Sequence, residues 1–255
     1  MPLRETEAIV LRTYRLAYRL GEADKIISLF TRQFGRLRAA ATGAQRPKSR
    51  YGGTLEPLSY VRLWLFEREN RDLLRLNSAE LVESFFDMQK DYRAQVAAQY
   101  LAEVSERLLP EREVNERAFR LLVVVLRALK RSGEIDRPLL YFNYWVLRLG
   151  GYLPDLEHCA SCGRALGEEA GWYGPGSEGL FCSACAKTPG RGALYRTVSA
   201  EALALAPIVR QSSLDRWLAE KPPPGCEAAR HFFEELVETH AEKKLVTRSL
   251  LEEEA

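Results

Sequence analysis

Four cysteines constrain this chain more than any other feature. Cys159-Ala160-Ser161-Cys162 and Cys182-Ser183-Ala184-Cys185 are two C-x-x-C pairs separated by nineteen residues. Two residues between thiols let the backbone curl so that both sulfurs face one point, and two such knuckles complete a closed tetrahedron about one ion. The spacing falls within the range of a zinc ribbon, and four thiolates leave no position open for water. The pattern therefore predicts one structural Zn2+ on Cys159, Cys162, Cys182 and Cys185. Two disulfides would suit an exported chain, but Met1-Pro2-Leu3-Arg4-Glu5-Thr6-Glu7 has acidic residues where a secretory signal needs a basic patch and an apolar stretch. An iron–sulfur cluster takes the same ligands, usually at other spacings. His158 adjoins the first knuckle and reads as a loop histidine, because the four thiolates fill the sphere. The fifth cysteine, Cys226, reads as a small apolar residue at a helix start.

Hydrophobic periodicity divides the rest of the chain into an α+β arrangement. Over residues 1–76, Ala8-Ile9-Val10-Leu11, Ile26-Ile27-Ser28-Leu29-Phe30 and Tyr60-Val61-Arg62-Leu63-Trp64-Leu65-Phe66 are short runs rich in β-branched and aromatic residues. Gln33-Phe34-Gly35 and Glu69-Asn70-Arg71 look like hairpin connections, and five such strands suit a small barrel. Thr42 to Gly53 is basic, Gly-bearing and without period, and reads as a mobile loop. At Asn77 the period changes. Asn77 with Glu80 resembles a helix N-terminal cap, after which Leu81, Phe85, Met88 and Tyr92 recur at helical spacing. Val96 to Leu108, Val114 to Leu129 and the nearly all-apolar Pro138 to Leu149 continue as helices, so residues 77–152 are expected to begin a helical bundle. Residues 153–188 form the cysteine-rich insertion, and residues 189–255 resume helical patterns.

Net charge is only +2 for the whole chain, but Met1 to Gly52 carries eleven Lys and Arg against four acids, a surplus of seven. Such a surplus predicts a surface that meets a polyanion. The most apolar run, Leu121 to Leu126, is flanked by Arg120 and Arg127, so no membrane span is expected and the chain is placed in the cytosol.

Glu7-Ala8-Ile9-Val10-Leu11-Arg12, Gly21-Glu22-Ala23-Asp24-Lys25-Ile26, Gly35-Arg36-Leu37 and Gly43-Ala44-Gln45-Arg46-Pro47-Lys48-Ser49 resemble the bacterial recombination-mediator family RecO. So does Tyr141 to Leu149, followed by Gly151-Tyr152-Leu153-Pro154-Asp155-Leu156 and the first knuckle. The resemblance covers nearly the whole chain in the same order. It implies an N-terminal OB-fold β-barrel, an α-helical bundle and a four-cysteine zinc finger inserted in the bundle. It further implies a nucleoid-associated DNA repair protein that binds single- and double-stranded DNA and anneals complementary strands. With RecR, such a protein helps load RecA onto strands coated by the single-strand-binding protein SSB, whose acidic C-terminal tail it engages. No catalytic residue is implied.

OB-folds hold a strand by pairing a basic groove with aromatic platforms. The expected DNA-binding residues form three clusters: Arg15, Arg19 and Lys25 around the first hairpin, Arg36 and Arg38 on one strand face, and Arg46, Lys48 and Arg50 along the loop. Phe34 and Trp64 read as barrel core, whereas Tyr18 and Tyr51 are candidates for stacking on bases. Arg127, Lys130 and Arg131, at one helix end, are candidates for the SSB tail. The competing expectation, a zinc-containing nuclease or nucleic-acid-modifying enzyme, needs acids or histidines around an open metal position. Glu22 and Asp24 are the only acidic pair near the basic segment.

Overall fold

A computed structural model describes residues 3–15, 23–66, 73–174, 176–188 and 196–252. The chain divides into two compact units, Met1–Gly133 with Leu245–Ala255, and Glu134–Lys244.

In the first unit, β1 (Leu3–Arg15), β2 (Lys25–Thr31), β3 (Gly35–Ala41), β4 (Ser59–Phe66) and β5 (Leu73–Ser84) close into a barrel in the order β1-β2-β3-β5-β4. Neighbours are antiparallel except β3 and β5. Strict alternation drives closure: along β3, Leu37, Ala39 and Ala41 point inward while Arg36 and Arg38 point out. They meet Ala8, Val10, Ile27, Leu29, Val61, Leu63, Leu65 and Leu76 in one core. Trp64, expected in that core, instead stands half-buried on the outer face of β4, because Leu63 and Leu65 take the inward positions.

The helix expected from Asn77 is not formed. Residues 77–84 are the second half of β5, paired with β4 from Trp64↔Ser78 to Ser59↔Ser84. The 4-3-4 spacing of Leu81, Phe85, Met88 and Tyr92 crosses three elements: β5, a 3-10 turn at Phe86–Lys90, and α1 (Tyr92–Leu108). The barrel boundary placed at residue 76 thus falls inside a strand. Asp91 caps α1 through Ala94 N (3.2 Å), and Asn115 caps α2 (Glu116–Ser132) through Ala118 N (3.0 Å).

The β2–β3 hairpin requires glycine at its end. Gly35 has φ +66°, and a Cβ there would lie 2.0 Å from the Glu113 carbonyl oxygen. That close approach lets Arg112 N donate to Arg36 O (2.8 Å), seating the α1–α2 connection against β3. Phe119 of α2 packs edge-on against Phe30 and Tyr60, at 5.7 and 6.1 Å. The chain returns to this unit at its end as α8 (Val246–Glu252), which lies on α1.

Thr42 to Gly53, expected as a mobile loop, is a chain of turns stitched by Arg46 N→Gly43 O, Ser49 N→Arg46 O and Gly52 N→Ser49 O. This segment and the turn that follows it deliver Tyr51 and Leu55, each 2% exposed, into the barrel core, where Tyr51 OH donates to Leu76 O at 3.1 Å. Apolar side chains within a basic stretch turn a loop into a cap for the barrel.

The second unit is built on α3 (Asp136–Leu149), which packs against α5 (Ala200–Gln211), α6 (Leu214–Ala219) and α7 (Cys226–Ala241). Burial runs nearly all round α3, as its composition predicts. Among the described residues of this unit, the two buried arginines are both ion-paired. Arg137 clamps Glu134 and donates to Trp217 O and Glu220 O, and Arg230 pairs with Asp136 and Glu234. Between α3 and α5 the chain forms β6 (Gly171–Tyr173), the short helix α4 (Ser183–Ala186) and β7 (Arg196–Val198). β6 pairs antiparallel with β7, so the insertion's pairing extends beyond Thr188 to Val198. The helices expected to share one bundle are therefore divided, with α1, α2 and α8 in one unit and α3, α5, α6 and α7 in the other.

Candidate metal centre and nucleic-acid interface

The first knuckle is introduced by a turn. Asp155 Oδ1 accepts from Glu157 N (2.8 Å) and His158 N (3.2 Å), while Oδ2 meets His158 Nδ1 at 2.9 Å. Cys159 N then donates to Arg164 O (2.8 Å), and Gly163 N closes the loop on Cys159 O (2.9 Å), with Gly163 at φ +70°. Ala160 N→Leu180 O (2.7 Å) and Cys182 N→Cys159 Sγ (3.3 Å) bring the second knuckle alongside. Leu166, Tyr173, Leu180 and Phe181 are buried beneath.

The four sulfurs of Cys159, Cys162, Cys182 and Cys185 all lie within 4.8 Å of one another, with Cys162 and Cys182 at 4.0 Å. All four thiols are free, and a disulfide needs about 2.05 Å. Burial raises the Cys159 thiol, but the backbone N–H groups of Cys182, Cys162 and Ser161 outweigh it and bring it down to about 6. Cys182 is lowered first by the N–H of Cys185. Cys185 itself is pushed up to about 12, chiefly by the sulfurs of Cys182 and Cys162. The four sulfurs crowd one another here, and a cation among them would favour the thiolate form of each. The set can hold a metal ion, and among the described residues no other group of three or more His, Cys, Asp or Glu side chains is so placed. His158 is exposed and turned toward Asp155, outside the set. Cys226 opens α7 with its thiol raised by burial, as suits a small apolar residue there.

The basic residues separate into two places. Lys25 pairs in register with Arg15 on β1 and Ala41 on β3, at the end of the barrel where the loop begins. Gly43 N donates to Asp24 Oδ1 (2.7 Å) and Gln45 N to Ala23 O (2.9 Å), holding Arg46, Lys48 and Arg50 at that same end. Arg36 lies toward the opposite end of β3 and Arg38 at its midpoint. Arg36 is five positions from Ala41, about 17 Å at strand rise, so Lys25 and the loop cations share one end of the barrel while Arg36 stands apart from them. Arg19 and Tyr18 lie outside the described residues, as do the side chain of Arg15 and the Glu69-Asn70-Arg71 connection. Tyr51 is in the core and is not a stacking platform.

The surplus of seven is also smaller in space than in sequence. Arg12 pairs with Glu106 (3.4 Å), Lys25 with Glu56 (3.0 Å), Arg32 with Glu7 and Glu116, and Arg36 and Arg38 share Glu111 (3.0 and 3.1 Å). Most of these acids come from beyond Gly52. Arg46 and Lys48 stay exposed with no ion pair among the described residues, and Arg50 leans on Tyr51, donating to its hydroxyl at 2.8 Å. The acids on α1 and its connection to α2 were the missing signal, and only the tertiary fold brings them to the barrel. At the end of α2, Arg127 pairs with Glu83 (2.8 Å), and Lys130 donates to Ser84 O (2.8 Å) near Asp87 (3.7 Å).

Two family models match the chain: Recombination protein O N terminal over residues 1–85 and Recombination protein O C terminal over residues 89–249. The chain belongs to the recombination protein O family. The first match ends one residue after β5, in agreement with a barrel that runs to Ser84. The chain is similar to a protein named DNA repair protein RecO from Koribacter versatilis, 38% identical over 98% of both chains. A protein of the same name from Nocardioides is 41% identical over 74% of this chain and 76% of its own. Another from Anaeromyxobacter is 33% identical over 91% of each. Among the described residues no helix is long and apolar enough to cross a membrane.

Proposed function

We propose that this chain is a DNA-binding recombination mediator in DNA repair that works without catalysing a reaction. Family membership combined with the unpaired cations Arg46 and Lys48 at one barrel end carries the reading. The five-stranded closed barrel acts as an OB-fold, gripping the phosphates of single- and double-stranded DNA with Lys25, Arg46, Lys48 and Arg50, joined by Arg15 and Arg19. Contacts of this kind read no sequence, as annealing of arbitrary complementary strands requires. Arg36 and Arg38, tied to Glu111, contribute less. With RecR, the protein helps load RecA onto SSB-coated strands in the cytoplasm, at the nucleoid, and the SSB tail docks near Arg127, Lys130 and Arg131.

The four cysteines hold one structural Zn2+. A tetrahedral zinc with bonds of about 2.3 Å separates its sulfurs by about 3.8 Å, close to the 4.0 Å between Cys162 and Cys182. The ion neutralises thiolates that repel one another and fixes an insertion with little core of its own. Structural zinc in small peptides contributes on the order of 10 kcal/mol or more.

The test is the salt dependence of single-strand binding in the double variant Arg46→Ala, Lys48→Ala. Each lost phosphate contact should flatten the slope of log affinity against log salt by about 0.7, roughly 1.4 in all, and weaken every sequence alike. An unchanged slope with unchanged affinity moves the binding surface off the barrel.

A further inference from the structure

The exposed stripe of α2 consists of Arg117, Arg120, Val124, Arg127 and Arg131, at spacings of three, four, three and four. Such spacing places all five on one helix face, over about 21 Å of its length. At the C-terminal end the cations have reasons within the fold. Arg127 pairs with Glu83, Lys130 beside it donates to Ser84 O, and positive charge in the last turn offsets the helix dipole.

The N-terminal end has no such reason. Arg117 is the second residue of α2 and Arg120 the fifth, where the dipole opposes positive charge. Neither has a carboxylate within ion-pair distance among the described residues. Glu116, one turn before Arg120, is engaged by Arg32 through Nη2 at 2.7 Å and Nε at 2.9 Å. The Arg32 guanidinium holds the Glu116 carboxyl below the usual carboxylate range. Arg120 adds a weaker attraction to Glu116, and Arg117 has no such partner among the described residues.

We propose that the N-terminal half of this face, at Arg117 and Arg120, is a second DNA site, which holds the phosphates of one single strand while the Arg46–Arg50 end of the barrel holds another. Guanidinium groups pair with phosphate oxygens in bidentate fashion. Two guanidinium groups about one turn apart on a helix surface suit successive phosphates of a nucleic-acid backbone better than the single acidic end of a peptide. The inference rests on the reading of the barrel as a DNA site and goes past it, since annealing requires one protein to hold two strands together.

The full-length protein is titrated with a labelled dT oligomer of about 30 nucleotides, and annealing is followed with a complementary pair. The variants are Arg117→Ala with Arg120→Ala, and Arg117→Glu with Arg120→Glu, exposed positions whose replacement breaks no ion pair or hydrogen bond among the described residues. Saturation should fall from two strands per protein to one while the first strand stays bound. The annealing rate should drop about tenfold or more. Two strands still bound and an unchanged annealing rate in the glutamate variant would overturn the proposal. So would a wild type that saturates at one strand, with the barrel reading intact. A wild type that binds no strand at low salt removes both readings. Loss of an acidic peptide's binding in the glutamate variant, with strand stoichiometry unchanged, assigns the face to a protein partner and likewise overturns the proposal.

Discussion

Glu103 joins the end of the chain to its middle, and its removal should open α8. The side chain lies in α1, 4% exposed, and its carboxylate faces the first turn of α8. Oε2 accepts from Thr247 N at 3.1 Å and from Thr247 Oγ1 at 2.7 Å, and Oε1 from Val246 N at 3.4 Å. A buried anion here does what a capping residue does, satisfying free N–H groups at the positive end of a helix. α8 has only seven residues, too few to persist unaided, so it depends on this anchor and on buried Leu245 and Leu251. Hydrogen bonds to a charged group contribute about 1.5–3 kcal/mol each, and an unmade buried donor costs about 1–3 kcal/mol. Two good bonds and one long one, less the relief of no longer burying a charge, give roughly 2–4 kcal/mol for Glu103→Ala. At about 1.4 kcal/mol per decade, amide exchange at Thr247 should accelerate roughly thirtyfold to several-hundredfold. Glu103→Gln keeps the volume but turns an amino group toward the donors, and should fall between at about 1–2 kcal/mol. Hydrogen exchange on the full-length protein measures both. If Glu103→Ala left exchange at Val246 and Thr247 within about twofold of wild type, the carboxylate would not be the anchor.

Three further outcomes are expected. Gly35→Ala forces a Cβ to 2.0 Å from the Glu113 carbonyl at φ +66°, so it should destabilise the first unit by about 3 kcal/mol or more in urea unfolding; Gly52→Ala, at φ +51° with no atom within 4 Å, should cost only about 1–2 kcal/mol. Equal losses would show that backbone strain, not the close approach, makes glycine necessary at position 35. His231 is raised, first by its bond to Glu234. A raised folded pKa gives stability that is complete below the unfolded value of about 6.5 and is lost as pH climbs through the folded one. The stability gap between wild type and His231→Gln should therefore be wider at about pH 5.5 than at about pH 8.5, and a gap independent of pH refutes the assignment. If the four cysteines hold Zn2+ and the barrel binds DNA as proposed, Cys159→Ser should abolish metal binding and unfold the insertion while single-strand binding persists, as elemental analysis, circular dichroism and a binding titration would report.

How far the fold was legible depended on whether one segment served one element. Pro138 to Leu149 is apolar all round and forms the buried α3, because a single helix uses all of it. Leu81, Phe85, Met88 and Tyr92 keep helical spacing by coincidence across a strand, a 3-10 turn and a helix start. What makes residues 77–84 a strand is the partner β4, which offers a ladder from Trp64 to Ser59 broken only by a register shift between Val61 and Tyr60, and pairing of that kind is invisible in a window around Asn77. The loop failed for a related reason. Its Arg, Lys and Gly content set its reading, while two residues, Tyr51 and Leu55, decided its fate by filling the barrel end.

The candidate sites differ in the same way. The cysteine centre was legible because both knuckles are local: each pair is fixed by its own two-residue spacing, and the structure had only to bring two prepared halves within 4.8 Å. The basic surface was legible as a quantity of charge but not as a place, since charge in space is decided by the partners the fold supplies. Glu106, Glu111 and Glu116 stand on α1, on its connection to α2 and at the first residue of α2, and reach back to Arg12, to Arg36 and Arg38, and to Arg32. They turn cations that looked available into ties between barrel and helices. Among the described cations left without an ion pair are Arg46 and Lys48 at the barrel end and Arg117 and Arg120 on α2. A cation that the fold neutralises holds the fold together. A cation left unpaired, or set against a helix dipole, is where a polyanion finds its counter-charge.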